Sequence, residues 1–222
     1  MKKTLLFLCL CAAALTLMNS CLGVAADISI RADGSGTITL EYRVSQMLES
    51  LGRLDGNENW PAIPVGKADF ERSVARIPGL RLSSFSAKDV PHSSGGGRDL
   101  LTKVTLEFKN TAALLAFLDS TGNHASLVQE TRNAQTANIL RLVLLDRPDG
   151  LVNADLISLL REVSAGYELN ISVSAPKTAA ISTTPSSVPA ARITSRGKKV
   201  SCAIDMKDLL ELNEGLALEI VW

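Results

Sequence analysis

An α+β fold, with a mainly antiparallel sheet and about three helices covering one face, is predicted by three observations on the sequence. Runs of strict apolar–polar alternation recur along most of the chain, and a period of two marks strands with one buried face. Between them stand three segments whose apolar residues return at helical spacing, each forming a single stripe that must lie on a sheet. The chain has 222 residues, and after its first twenty no apolar run approaches the ~20 residues a membrane-crossing helix needs. One continuous sheet is expected in preference to two domains.

The strands come in order. Ile28 and Ile30 begin the first, Asp33-Gly34-Ser35-Gly36 makes a hairpin turn, and Ile38, Leu40, Tyr42 and Val44 share the returning face. Val104, Leu106 and Phe108 alternate with charged or hydroxyl residues. Leu140, Leu142 and Leu144 do the same, and Tyr167, Leu169, Ile171 and Val173 give the cleanest alternation. Val200, Cys202 and Ile204 form another strand, and Leu216, Leu218, Ile220 and Trp222 the last.

Helices are read from spacing and caps. Phe70, Val74 and Ile77 recur at i, i+4 and i+7 before Pro78-Gly79 stops the turn. Leu114, Leu115 and Leu118 follow a cap at Asn110 or Thr111. Leu156, Ile157, Leu160 and Val163 follow Asn153 and end at Gly166. Three stretches read as loops: Gly52–Gly66, Pro91–Asp99 with three consecutive glycines, and Thr178–Lys199, rich in Ser, Thr, Ala and Pro.

The N-terminus has the layout of an export signal. Lys2 and Lys3 precede an apolar stretch from Leu5 to Met18, interrupted only by Thr16 and too short for a permanent span. Leu17-Met18-Asn19-Ser20-Cys21 resembles a bacterial lipoprotein box in the relaxed form seen in spirochaetes, which implies acylation of Cys21 and cleavage before it. Several acyl chains give stable anchoring where one alone is marginal. A rival site, Val24-Ala25-Ala26, suits ordinary signal peptidase. Residues 1–20 are therefore read as a lipoprotein signal peptide, and 21–222 as a single α+β envelope domain with a flexible loop near 176–199.

Charge and cysteine count narrow the partners. Lys+Arg and Asp+Glu both number 23, so without Lys2 and Lys3 the remainder carries 21 basic side chains against 23 acidic ones. That near-neutrality leaves no overall field to attract nucleic acid or an acidic surface, and the scarcity of aromatic residues weakens stacking-based binding of nucleic acid or sugar. Cys9 and Cys11 leave with the signal. If Cys21 is acylated, Cys202 stays single; if not, the two could form a disulfide. Its place in an alternating run makes Cys202 a small core residue.

The sequence carries no recognisable catalytic set, metal site or cofactor motif. His92 and His124 have no second ligand at zinc spacing. Gly95-Gly96-Gly97 lacks the Lys-Ser/Thr of a phosphate loop, and Gly34-Ser35-Gly36 sits in a hairpin, not between strand and helix. Asp146, Asp149 and Asp155 lack the spacing of a calcium loop. Two features suit binding. Arg192, Arg196, Lys198 and Lys199 could touch anionic headgroups, and Trp60 could be a contact residue or a core lid.

Taken together, the acylated cysteine, Asp33-Gly34-Ser35-Gly36-Thr37, Phe108-Lys109-Asn110-Thr111 before a Leu-rich helix, Gly197-Lys198-Lys199-Val200 and the closing strand to Trp222 resemble the LppM-type lipoprotein domain. The resemblance implies an envelope role with contact to a lipid or glycolipid, and no established catalysis. The amphipathic sheet, the anchor and the absent catalytic set lead to the expectation of a non-enzymatic envelope lipoprotein that binds a lipid, glycolipid or partner protein between sheet and helices. A surface protein that contacts a host, and least of all an unrecognised hydrolase, are the alternatives.

Overall fold

The alternating runs pair into two sheets that share one hydrophobic core. The structure, a computed structural model, describes residues 22–45, 66–91, 98–119, 124–132, 135–145, 166–186, 188, 190–212 and 214–222. Their order is β1 (Leu22–Ile30), β2 (Gly36–Ser45), α1 (Lys67–Ala75), β3 (Leu80–Pro91), β4 (Arg98–Phe108), α2 (Thr111–Leu118), β5 (Ala125–Arg132) and β6 (Gln135–Leu145). There follow β7 (Glu168–Ser174), β8 (Ala180–Thr184), β9 (Arg192–Arg196), β10 (Lys199–Asp205), α3 (Met206–Glu211) and β11 (Leu216–Val221). One sheet has seven strands in the order β3-β4-β2-β1-β7-β10-β9, the other four in the order β5-β6-β11-β8. Every pairing is antiparallel except β1 with β7.

Alternation decides which face is inside. Ile28, Ile38 and Leu106 lie opposite one another on three neighbouring strands and are almost fully buried. From the second sheet, Leu140, Leu142, Leu218 and Ile220 enter the same core, and Trp222 closes its edge. Each such side chain contributes about 1.5–3 kcal/mol relative to exposure. Val188, Ile204, Leu209 and Leu216 form a small second cluster under α3. Helix α1 packs on β3, α2 beside β4 and β5, and α3 on β10.

The expected continuous sheet is thus two sheets, because β6, β8 and β11 pair with one another and with β5 but not with the first seven strands. The stretch expected to be a loop, 178–199, holds β8 and β9. Its Ser- and Thr-rich sequence is that of edge strands, and β9 is exposed along its whole length. Strands β3 and β5 are also edges, which explains their weak alternation in sequence. Asn110 caps α2 as expected, its side chain accepting the Ala113 N–H at 2.9 Å. The expected helix around Leu156–Val163 lies outside the described residues, whereas α3 was not foreseen; its six residues are too few for a helical period to show.

Candidate functional site

The end of the seven-stranded sheet where β1 starts is the end next to Cys21, the residue the sequence marks for acylation. Cys21 lies outside the described residues, but Leu22 already pairs with Val44 in β2, and Val24 pairs with both Tyr42 and Leu169. Strand β1 is therefore central from near its first residue, held on both sides. Tyr167, just before β7, reinforces this end. A Cβ on Gly23 would come 2.7 Å from its ring, so the ring crosses where only glycine leaves room. Its hydroxyl donates to Asp99 Oδ2 at 2.9 Å, and both residues are buried. The Tyr167 carbonyl accepts the Met206 N–H at 2.9 Å and ties α3 to the same corner.

The register also settles the disulfide alternative. Ala26 lies opposite Ile171, and Ile171 opposite Cys202. Leu22 is thus four residues along and two strands across from Cys202, roughly 16 Å away. A disulfide needs Cα atoms within about 7 Å, out of reach for a residue one peptide bond from Leu22. Cys202 is a buried free thiol, and burial pushes its pKa up, which keeps it protonated and unreactive.

The four basic residues singled out from the sequence sit on β9, β10 and the turn between them. Gly197 at φ +61° and Lys198 form that turn, with Arg196 opposite Lys199. Arg192 is engaged by Glu168 at 3.0 Å and Asp205 at 3.3 Å; the hydrogen bond to Asp205, then the charge of Glu168, raises its pKa. Lys199 pairs with Asp27 at 2.9 Å. Burial alone would raise the pKa of the Asp27 carboxyl, but the Ser172 hydrogen bond, then that of Lys199 and its charge, bring it below the ordinary value. Among the described residues no carboxylate pairs with Arg196 or Lys198. Through Ser174, Lys199 is level with Ser29, seven residues along β1 from Leu22. The basic turn is therefore about 23 Å along the strand direction from Leu22, at the opposite end of the sheet.

The outer face carries polar rows that cross all seven strands. Arg81, Glu107, Thr37, Ser29, Ser174, Lys199 and Arg196 stand opposite one another in turn, from β3 to β9. Arg81 Nε donates to Glu107 Oε2 at 2.9 Å, and Ser83 to the other carboxylate oxygen. Those hydrogen bonds, Arg81's first, lower the Glu107 pKa. Just beyond the row, Arg31, Arg81 and Lys109 rim an open cleft of about 630 Å³. The next row inward, Thr105, Thr39, Asp27, Ser172, Ser201 and Thr194, is mostly hydroxyl. The polar half of each alternating run supplies the members of these rows, but the rows themselves exist only once seven strands are in register.

His124 lines a different open cleft, of about 700 Å³, with Asp119, Ser126, Arg141 and Thr184. Asp119 is half-buried, and its Oδ1 accepts the backbone N–H of His124 at 2.7 Å, closing the loop after α2. That bond is made by the His124 backbone and not by its imidazole. Trp60, His92, the triglycine and Asp146, Asp149 and Asp155 lie outside the described residues. Among the described residues no three His, Cys, Asp or Glu side chains gather as a metal site, and no helix is long and apolar enough to cross a membrane.

No family model and no curated protein matches this chain. Among solved structures it is similar to the folded domain of the LppM protein of Mycobacterium tuberculosis, determined by NMR, at a TM-score of 0.40 and 11% identity over 90% of each chain. That domain is a weak structural neighbour, and function has to be argued from the chain's own residues.

Proposed function

We propose that this chain is a lipid-anchored, non-enzymatic protein of the bacterial envelope, held by acylated Cys21 and acting through contact with an envelope partner. The observation that carries the reading is the start of β1. Ordinary signal-peptidase cleavage after Ala26 would remove five of the nine residues of a central strand, together with their pairing to β2 and β7. Cleavage before Cys21 leaves the strand whole. A sheet of this kind cannot lose half of a central strand without exposing the ladders on both sides, each unpaired buried group costing about 1–3 kcal/mol.

The filled interior favours surface contact over an enclosed ligand. Ile28, Val104, Leu140 and Leu218 meet between the sheets with 0–1% exposure, where a lipid tail would have to enter. The test is Cys21→Ala in the full chain, expressed in a host that processes lipoproteins. The substitution is expected to move the protein from the membrane to the soluble fraction, and the intact mass of the wild type should show a mature chain beginning at acylated Cys21. A mature chain beginning at Asp27, or unchanged partition of the variant, would sink the reading.

A further inference from the structure

We propose that the end of the seven-stranded sheet opposite Leu22 binds a linear anionic polysaccharide. The envelope reading above supplies only the compartment in which such a polymer would be met; the surface itself does not depend on acylation. Arg81 on β3, Lys109 after β4, Arg31 in the β1–β2 turn, Lys177 after β7, and Arg196 and Lys198 at the β9–β10 turn all stand at this one end, and all are exposed. Among the described residues no carboxylate pairs with Lys109, Lys177, Arg196 or Lys198. Two solvent-accessible acids also stand here: Glu107 is paired with Arg81, and Asp33 accepts from the backbone N–H and hydroxyl of Ser35 at 3.0 and 2.7 Å, so the cations without a carboxylate partner set the sign of this end.

Three features select the ligand. From β3 to β9 the cations cover six strand intervals, about 29 Å, far wider than one small anion. The outer face turns by roughly 20–25° per strand, so one flat surface cannot meet both ends of the row. A flexible linear chain can follow that twist where a bilayer cannot. Between the cations stand half-buried hydroxyls of Thr37, Ser29 and Ser174, which offer hydrogen bonds to sugar hydroxyls.

The experiment measures binding of full-length protein in detergent to heparin and alginate fragments of graded length, with single-stranded DNA and anionic phospholipid vesicles as comparisons. Binding is expected to strengthen until fragments span about 30 Å. The K109A/K177A/R196A/K198A variant, checked for folding by circular dichroism, should bind at least about tenfold more weakly and with a shallower salt dependence. K88A/K207A, toward the other end, should bind like the wild type. Cys21→Ala should bind heparin unchanged, which separates this proposal from the anchoring. Equal binding of short and long fragments, preference for DNA or vesicles, or an unaffected four-site variant would each overturn it.

Discussion

The two ends of the seven-stranded sheet are built differently. At the end where β1 starts, the links are internal. Tyr167 lies over Gly23, its hydroxyl meets the buried Asp99 carboxylate, and its carbonyl holds α3. At the other end the backbone closes in tight turns at Gly34 and Gly197, and the side chains reach outward as exposed Arg and Lys. One end is tied by internal side-chain links; the other presents charge.

The difference can be broken most severely at Gly36. A Cβ there would sit 1.9 Å from the Ser29 carbonyl oxygen and 2.4 Å from the Phe108 ring, so no rotamer relieves it. Gly36→Val is expected to cost about 3 kcal/mol or more, by chemical denaturation, or to prevent folding. A variant as stable as the wild type would mean that the turn end is looser than its packing implies.

Tyr167→Phe probes the opposite end with a smaller effect. It keeps the ring over Gly23 but removes the donor to Asp99, at an expected cost of about 1–3 kcal/mol. Amide exchange should speed up first around Gly23–Ala25 and last near Ser29, because the lost bond belongs to the end where β1 starts. Uniform acceleration along β1 would show that the two ends open together.

The smallest expected effect is the acid response of Asp27, which joins β1, β7 and β10 through Ser172 and Lys199. Its folded pKa lies below the ordinary 3.8, so its contribution is present above that value and is lost as pH falls through the folded pKa. The side chain is nearly half exposed, which limits the effect to a few tenths of a kcal/mol. Stability measured between pH 5 and pH 2 should fall less steeply in Asp27→Asn than in the wild type.

Much of the core was legible in the sequence. Ile28, Ile38, Leu106, Val200, Ile204, Leu218 and Ile220 stand in runs of period two, and all of them are buried. The β1–β2 turn and the Asn110 cap could also be read, because a turn and a cap are local chemistry. Strands β3, β5, β8 and β9 were harder. An edge strand is exposed on more sides and has less need of an apolar stripe, so Ser, Thr and charge replace the pattern.

The sequence by itself determined the strands of the core, the export-signal layout and the cysteine that precedes β1, since each is written in neighbouring residues or in a fixed period. Only the tertiary structure decided that the strands divide into two sheets and that β1 lies between β2 and β7. It alone placed Arg31, Arg81, Lys177 and Lys198, far apart in the chain, at one end. Pairing partners and register are set by which apolar faces cover one another across the whole core, and that competition is settled only when every strand is present.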